Sequence, residues 1–206
     1  MNKITTFLVA ATFLALAAAG LTGCGPMHIA MNPTSELDLA NRHIPCKITL
    51  FLDSEFQNYH WEGFSSAEVR GLDYGLGSAS KNLFVRAFTL ASDGFTLVES
   101  RPLFPLSNPD GIILVVHPRI GRFSETHNTF IRNANYYAEI TYHVTVYDQA
   151  GKTVLENDYP ARGVAMGSVD VYRNYAAPAE KAMAQAIVTI IDDISRLAKH
   201  PEDKAR

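Results

Sequence analysis

The residue with the most specific chemistry is Cys24, the last residue of the tetrapeptide LTGC. A short basic segment with Lys3 and an apolar stretch at residues 4–19 precede it. This order, followed by small residues before a cleavage point, is typical of a secretory signal peptide. A cysteine directly after such a signal matches a lipobox, in which the thiol becomes acylated. The sequence therefore predicts cleavage after Gly23 and lipidation of Cys24.

Attachment to a membrane is the predicted consequence. In the bacterial lipoproteins that this pattern resembles, the cysteine sulfur carries a diacylglyceryl group and the amine carries a further acyl chain. One acyl chain contributes ~0.8 kcal/mol per buried CH₂ and binds marginally, whereas two or more hold stably. Glycine rather than aspartate at position 25 favours the outer membrane in enteric-type bacteria. An uncleaved spanning anchor is the alternative, but the apolar stretch is shorter than the roughly 20 residues a spanning helix needs.

The rest of the chain offers little catalytic chemistry. No serine lies in a G-x-S-x-G elbow, and Gly71, Gly75 and Gly77 lack the Lys-Ser/Thr ending of a phosphate-binding loop. Turns and helix caps account for these residues. Cys46 falls on the apolar register of a strand, where a buried, inert thiol is expected. We therefore expect no enzymatic activity and no cofactor.

Two histidines on predicted strands are the candidate metal ligands. His117 and His143 could face each other across a hairpin, with Glu139 on the same face as His143. Two imidazoles and a carboxylate suit zinc or copper. Exposed strand faces also acquire histidines by chance, so the sequence predicts no metal site.

Aromatic side chains cluster in two segments, and exposed aromatic residues are common anchors of protein interfaces. These candidate partner-binding residues are Phe56, Tyr59, Trp61, Phe64, Tyr172 and Tyr175. The same side chains could instead cover the hydrophobic core. Both interpretations stay open, and Leu103, Phe104 and Leu106 in a proline-rich loop raise the same question.

Composition narrows the class of partner. The formal net charge is −3 and no basic stripe is present, which argues against nucleic-acid binding. With Cys24 acylated, Cys46 has no second cysteine in the chain for an intramolecular disulfide. The sequence leaves homo-oligomerisation open.

Hydrophobic periodicity predicts the order of strands and helices. The clearest pattern is residues 136–147, where apolar and polar side chains alternate. The predicted elements are strands at 44–52 and 56–61, a loop at 63–77, a helix at about 78–92, a strand at 95–98, an extended loop at 101–109, a strand at 112–123, a hairpin at 136–147 and 152–165, and a helix from 178.

These elements predict an α+β fold, a two-layer sandwich with a mainly antiparallel sheet of about five strands and two helices on one face. The predicted organisation is a signal at 1–23, the lipidated Cys24 with a flexible tether at 24–43, one periplasmic domain at 44–200 and a charged tail at 201–206.

The element order, with the segments DGIILVVHPRIGRF and YYAEITYHVTVYDQAGKTVLENDYPARG, resembles small proteobacterial outer-membrane lipoproteins. YajG-like lipoproteins are one such group, and the lipopolysaccharide-assembly lipoprotein is a more distant one. The resemblance covers most of residues 44–198 and departs in the aromatic loop before the first helix and in the proline-rich loop. It implies a periplasm-facing, non-enzymatic accessory role and assigns no functional residues.

Two functions follow as hypotheses. The first is a lipid-anchored accessory subunit that binds a protein partner in an envelope assembly, through aromatic loops or a sheet edge. The second is a carrier or chaperone for an envelope lipid or glycan, which requires an apolar groove between helices and sheet.

Overall fold

The computed structural model describes residues 25–64, 71–106, 111–130, 133–167 and 175–199. The predicted signal, Cys24, Tyr172 and the charged tail lie outside these ranges. The elements are β1 (Met27–Ile29), a 3₁₀ turn (Pro33–Glu36), β2 (Ile44–Phe51), α1 (Ser54–Gln57), β3 (Trp61–Phe64), β4 (Gly71–Tyr74), α2 (Leu76–Ala91), β5 (Ser92–Val98), β6 (Ile113–Phe130), β7 (Asn133–Tyr147), β8 (Thr153–Gly167) and α3 (Ala176–Lys199).

The described strands form two sheets. The large sheet has the order β5-β2-β6-β7-β8, and the small sheet has the order β1-β4-β3. Strands β6, β7 and β8 form a long antiparallel meander, whereas β2 pairs in parallel with both β5 and β6. The predicted α+β two-layer fold is confirmed. The small sheet and the parallel pairing of β2 are additional to the prediction.

Alternation along β7 explains why one face of the large sheet is covered. Its residues from Tyr136 to Val146 point alternately into the core and away from it. Helices α2 and α3 supply the opposing layer, because each carries an apolar stripe at helical spacing. The α3 stripe is completely or almost completely buried and comprises Met183, Ile187, Ile190, Ile191, Ile194 and Leu197.

A short helix replaces the strand predicted at residues 56–61. The Asp53 carboxylate accepts a hydrogen bond from the Phe56 N–H at 2.8 Å, which caps α1 at its start. The α2 helix then begins at Leu76, close to this turn. A Cβ on Gly77 would lie 2.3 Å from the Phe56 carbonyl oxygen. Close packing of α1 on α2 therefore requires glycine at position 77. Strand β4 occupies part of the loop that was predicted at residues 63–77.

The segment predicted as a flexible tether is folded from Met27 onward, so that prediction is corrected. Strand β1 pairs in parallel with β4. Further along, the Arg42 guanidinium donates to Asp192 of α3 at 2.9 Å, and the Ser195 hydroxyl donates to the His43 carbonyl at 2.7 Å. These contacts fasten the N-terminal segment to the last helix. They leave Gly25 and Pro26 between Cys24 and the first strand.

Candidate binding surfaces

Two of the predicted aromatic anchors are core residues. Phe56 packs edge-on against Phe84, with ring centroids 5.8 Å apart. Tyr175 packs edge-on against Tyr136 at 5.4 Å, and its carbonyl accepts a hydrogen bond from the Tyr74 hydroxyl. Both side chains are buried. The interface interpretation is therefore corrected for Phe56 and Tyr175, which cover the core because α1 and the start of α3 turn them inward.

Trp61 and Tyr59 are partly buried against the same core. The Trp61 ring contacts Tyr74 at 5.7 Å and Phe123 at 5.3 Å, so it joins the small sheet to β6 of the large sheet. Burial, with the nearby Glu125 charge, raises the pKa of Tyr74 well above its usual range. Trp61 therefore closes an apolar aromatic cluster between the two sheets.

Among the members of the predicted set that the structure describes, Phe64 is the exposed one, with 81% of its surface accessible. It ends β3 opposite Gly71, the first residue of β4. A Cβ on Gly71 would lie 3.5 Å from Pro26 Cβ and 3.9 Å from Phe64 Cε1. Met27 begins β1 at this end and is also exposed. We call Pro26, Met27 and Phe64 the apolar end of the small sheet.

A polar row follows the apolar end along the same strands. His28 on β1, Asp73 on β4 and Glu62 on β3 occupy adjacent positions. The Asp73 carboxylate accepts hydrogen bonds from His28 Nδ1 at 3.0 Å and from His60 Nδ1 at 3.2 Å. These two bonds hold the pKa of Asp73 below its usual range. The row therefore fixes β1 to β4 through a shared carboxylate.

The two histidines considered as metal ligands are out of register. His117 lies opposite Thr145, whereas His143 lies opposite Arg119. Each imidazole instead contacts carboxylates of neighbouring elements, His117 to Asp53 at 3.0 Å and His143 to Asp158 at 2.8 Å and Glu156 at 3.1 Å. Among the residues that the structure describes, no group of three His, Cys, Asp or Glu side chains could hold a metal ion.

A small pocket of about 80 Å³ lies where the proline-rich loop folds over the large sheet. The Arg101 guanidinium lies 5.9 Å from the Tyr147 ring centroid, and Phe104 packs against the same ring. His117 stacks on Phe51 at 4.5 Å. The residues that line the pocket are Phe51, Arg101, Pro102, Phe104, Val115, His117 and Tyr147. Strand alternation places Val115, His117 and Tyr147 on the sheet face opposite the two helices.

Strand β8 forms one edge of the large sheet. Its small residues Ala161 and Gly163 face α3, while Val164 and Met166 alternate with them and are exposed, Met166 to 82%. We call Val164 and Met166 the edge patch. The Lys181 ammonium approaches the Val164 carbonyl at 3.4 Å.

The edge patch is absent from the predicted site residues. Its apolar side chains are of the type expected in a core, so residue type alone assigns them to the buried face. The informative signal is the alternating small residues at 161, 163 and 165, which mark the side on which a helix packs closely.

Among the described residues, no helix has the length and apolar character needed to cross a membrane.

Neither protein-family models nor curated proteins match this sequence. Solved structures do. A Xanthomonas campestris protein assigned to DUF330 superposes with a TM-score of 0.54 at 11% identity, covering 85% of this chain and 97% of its own. A candidate lipoprotein from Caulobacter crescentus gives 0.41 at 10% identity, over 75% and 92% of the two chains. Rare lipoprotein B from Shewanella oneidensis gives 0.32 at 11% identity, over 76% and 96%. The first similarity shows a shared fold alone, and the similar structures include bacterial proteins described as lipoproteins.

Proposed function

We propose that the chain is a lipid-anchored outer-membrane protein whose periplasmic domain is a non-enzymatic accessory subunit of an envelope assembly. The acyl chains on Cys24 hold it at the membrane, and a protein partner docks on the domain. The lipobox supports the anchor. The observation that carries the docking role is the edge patch on β8.

The first and second halves of β8 differ in how they are protected against strand addition. Exposed sheet edges commonly carry charges or proline, which discourage pairing with other chains. Glu156, Asp158 and Pro160 supply such protection in the first half. The second half of β8 has a single charged residue, Arg162, and its Val164 and Met166 side chains point away from α3. This half is therefore the part of β8 that best accommodates a partner.

The geometry fits a partner that offers an extended segment. Strand addition gives affinity through main-chain hydrogen bonds and specificity through alternate side chains. Val164 and Met166 are two residues apart, so they lie on the same face of β8. An apolar side chain of the added strand would pack beside Met166. The proposed partner is therefore a protein segment with apolar residues at alternate positions.

A non-enzymatic role agrees with the burial and the raised pKa of the Cys46 thiol. Cys46 is buried, and this burial, with the nearby Asp93 charge, raises its pKa to about 11. Attack by cysteine requires the thiolate, which is scarce at neutral pH for such a group. Cys46 is therefore suited to packing and not to covalent catalysis.

The carrier hypothesis receives no support from the pocket beside the proline-rich loop. A carrier needs an apolar groove between helices and sheet, whereas this pocket lies on the other face of the sheet. Its volume of about 80 Å³ is also small, since ligand sites commonly enclose ~300–1,000 Å³. We therefore propose docking of a protein partner, and not transport of a ligand, as the function.

In-cell crosslinking tests the docking role. A photoreactive residue replaces Met166 in the full chain, and the matched control replaces Leu103, which is 90% exposed on the proline-rich loop. We expect a discrete crosslinked protein from position 166 and none from position 103. Met166→Glu should abolish co-purification of that protein. Equal products from both positions, or none from 166, would contradict docking, and an adduct of two copies would indicate self-association.

A separate experiment tests the anchor. Cys24→Ser should remove palmitate labelling and release the protein from the membrane fraction. Unchanged labelling and fractionation would show that the lipobox interpretation is wrong. Gly25→Asp then tests the outer-membrane assignment, because it should shift the acylated protein to the inner membrane if the enteric-type sorting rule applies.

A further inference from the structure

The distance between the lipid site and the folded domain is short. Only Gly25 and Pro26 separate Cys24 from β1. A fully extended chain spans at most ~3.3–3.6 Å per residue, so three residue steps place the Met27 Cα within about 11 Å of the Cys24 Cα. The acylated Cys24 lies at the level of the lipid headgroups. The start of β1 must therefore lie close to the bilayer surface.

Strand directions place Phe64 at that same end. Met27 begins β1 and lies beside Leu72, while Gly71 begins β4 and pairs with Phe64. Because β3 runs antiparallel to β4 and β1 runs parallel to it, the last residue of β3 lies at the same end of the sheet as the first residues of β1 and β4. Phe64 therefore lies one strand away from Pro26, across Gly71, and Pro26 is two residues from the lipid site.

The order of side chains along the small sheet suits shallow insertion. The apolar end consists of Pro26, Met27 and Phe64. The row of His28, Asp73 and Glu62 lies one residue beyond Met27 on β1 and two residues beyond Phe64 on β3. Glu62 and Phe64 share a face of β3, and two residues of a strand span ~7 Å. An apolar tip followed by charged and polar groups matches the change from acyl chains to headgroups and water.

We infer that the apolar end of the small sheet is a membrane-contact surface, in which Phe64 enters the headgroup region of the bilayer that holds the acyl chains on Cys24. This inference rests on the proposed lipidation. It commits the surface to lipid because the short connection keeps Phe64 near the bilayer, where a large protein partner has little room. The polar row limits the depth of insertion. The lipid anchor and Phe64 together then fix the orientation of the domain.

A fluorescent label at position 64 tests this inference in the full acylated chain. Phe64→Cys supplies the only accessible thiol, because Cys24 is acylated and Cys46 is buried. The matched control is Leu103→Cys, whose position is similarly exposed but lies on the proline-rich loop beside Tyr147. Both proteins, labelled with an environment-sensitive dye, are reconstituted into phosphatidylethanolamine–phosphatidylglycerol vesicles with or without lipids that carry a quencher near the headgroup.

We expect a blue-shifted emission at position 64 and at least about twofold stronger quenching by the labelled lipids than at position 103. Equal quenching at the two positions, in protein that floats with the vesicles, would overturn the membrane contact and leave the anchor intact. Shielding from aqueous iodide without lipid quenching would also overturn it, since a second protein copy or another protein would then cover Phe64. Failure to float would overturn the lipidation and this inference together.

Discussion

Gly163 on β8 lies directly against the backbone of Pro178 on α3. A Cβ at position 163 would lie 1.8 Å from the Pro178 carbonyl oxygen and 2.7 Å from the Ala182 nitrogen. Real Cβ atoms do not approach other atoms so closely, and neither contacting atom belongs to a movable side chain. The close approach also explains the alanines at 161 and 165. The last helix therefore packs on the edge strand through a surface of small residues.

Gly163→Ala should destabilise the domain by at least about 2 kcal/mol, because overpacking typically costs ~1–3 kcal/mol and here the helix backbone itself must move. Urea unfolding followed by circular dichroism measures the loss. Gly121→Ala is the matched control, since a Cβ there would lie 3.5 Å from the Thr141 carbonyl oxygen, an ordinary contact. Equal stability of the two variants would show that α3 does not rest on β8 in this way.

A hydroxyl pair in the core gives a second prediction. Ser80 and Tyr142 are fully buried, with their oxygens 2.7 Å apart. Tyr142→Phe leaves the Ser80 hydroxyl without this partner, and an unsatisfied buried polar group costs ~1–3 kcal/mol. We expect the double variant with Ser80→Ala to recover part of the loss. A double variant whose loss of unfolding free energy equals the sum of the two single losses would contradict coupling between the hydroxyls.

Cys46 should resist thiol reagents in the native protein. Its pKa is raised to about 11 by burial and by the Asp93 charge, so little thiolate forms at pH 8. A maleimide should modify Cys46 slowly in buffer and completely in denaturant, as measured by mass spectrometry. Leu103→Cys supplies an exposed thiol that should react rapidly under the same conditions. Rapid labelling of Cys46 without denaturant would mean that β2 opens readily.

The attachment of β1 should weaken in acid. The folded pKa of Asp73 lies below its usual range, so its hydrogen bonds to His28 and His60 favour the folded state above the ordinary aspartate pKa of ~3.9. That contribution is lost as the pH falls through the folded pKa.

Hydrogen exchange of residues 27–29, corrected for intrinsic rates, measures this effect. Protection should fall as the pH is lowered from 5 through the folded pKa of Asp73, which lies below the ordinary value of ~3.9, because the carboxylate becomes protonated over that range. Asp73→Asn should lower protection at pH 5 and flatten the pH dependence. The control is Asp93→Asn, which removes a carboxylate that binds His43 and lies far from β1 in the sequence. This variant should leave both the protection and its pH dependence unchanged. An identical acid response in both variants would point to another titrating group.

Sequence periodicity predicts the long elements well. The alternation from Tyr136 to Val146 and the apolar stripe of α3 are each repeated over many residues, so local pattern and burial agree. The small sheet could not be predicted, because its strands have three or four residues and their pairing joins Met27 to Leu72 across the chain. Parallel pairing of β2 likewise depends on where α2 returns the chain, which periodicity does not encode.

Residue type identifies the aromatic side chains of this region but does not indicate which of them are exposed. Phe56 and Phe64 lie eight residues apart in similar surroundings, yet one is buried and the other is open. The Asp53 cap turns Phe56 inward at the start of α1, whereas Phe64 ends an edge strand. The difference in exposure arises from backbone geometry, which residue composition does not indicate.

The contacts that join Arg42 and His43 to α3 have a consequence for biogenesis. A polypeptide is synthesised from its N-terminus, yet β2 pairs with β5 and β6, which follow much later, and Arg42 and His43 bind residues of the final helix. Such long-range pairing delays completion of the core. The nascent polypeptide must therefore be kept from aggregating until α3 has been synthesised, and a truncation within α3 would leave the N-terminal segment joined to an unfinished domain.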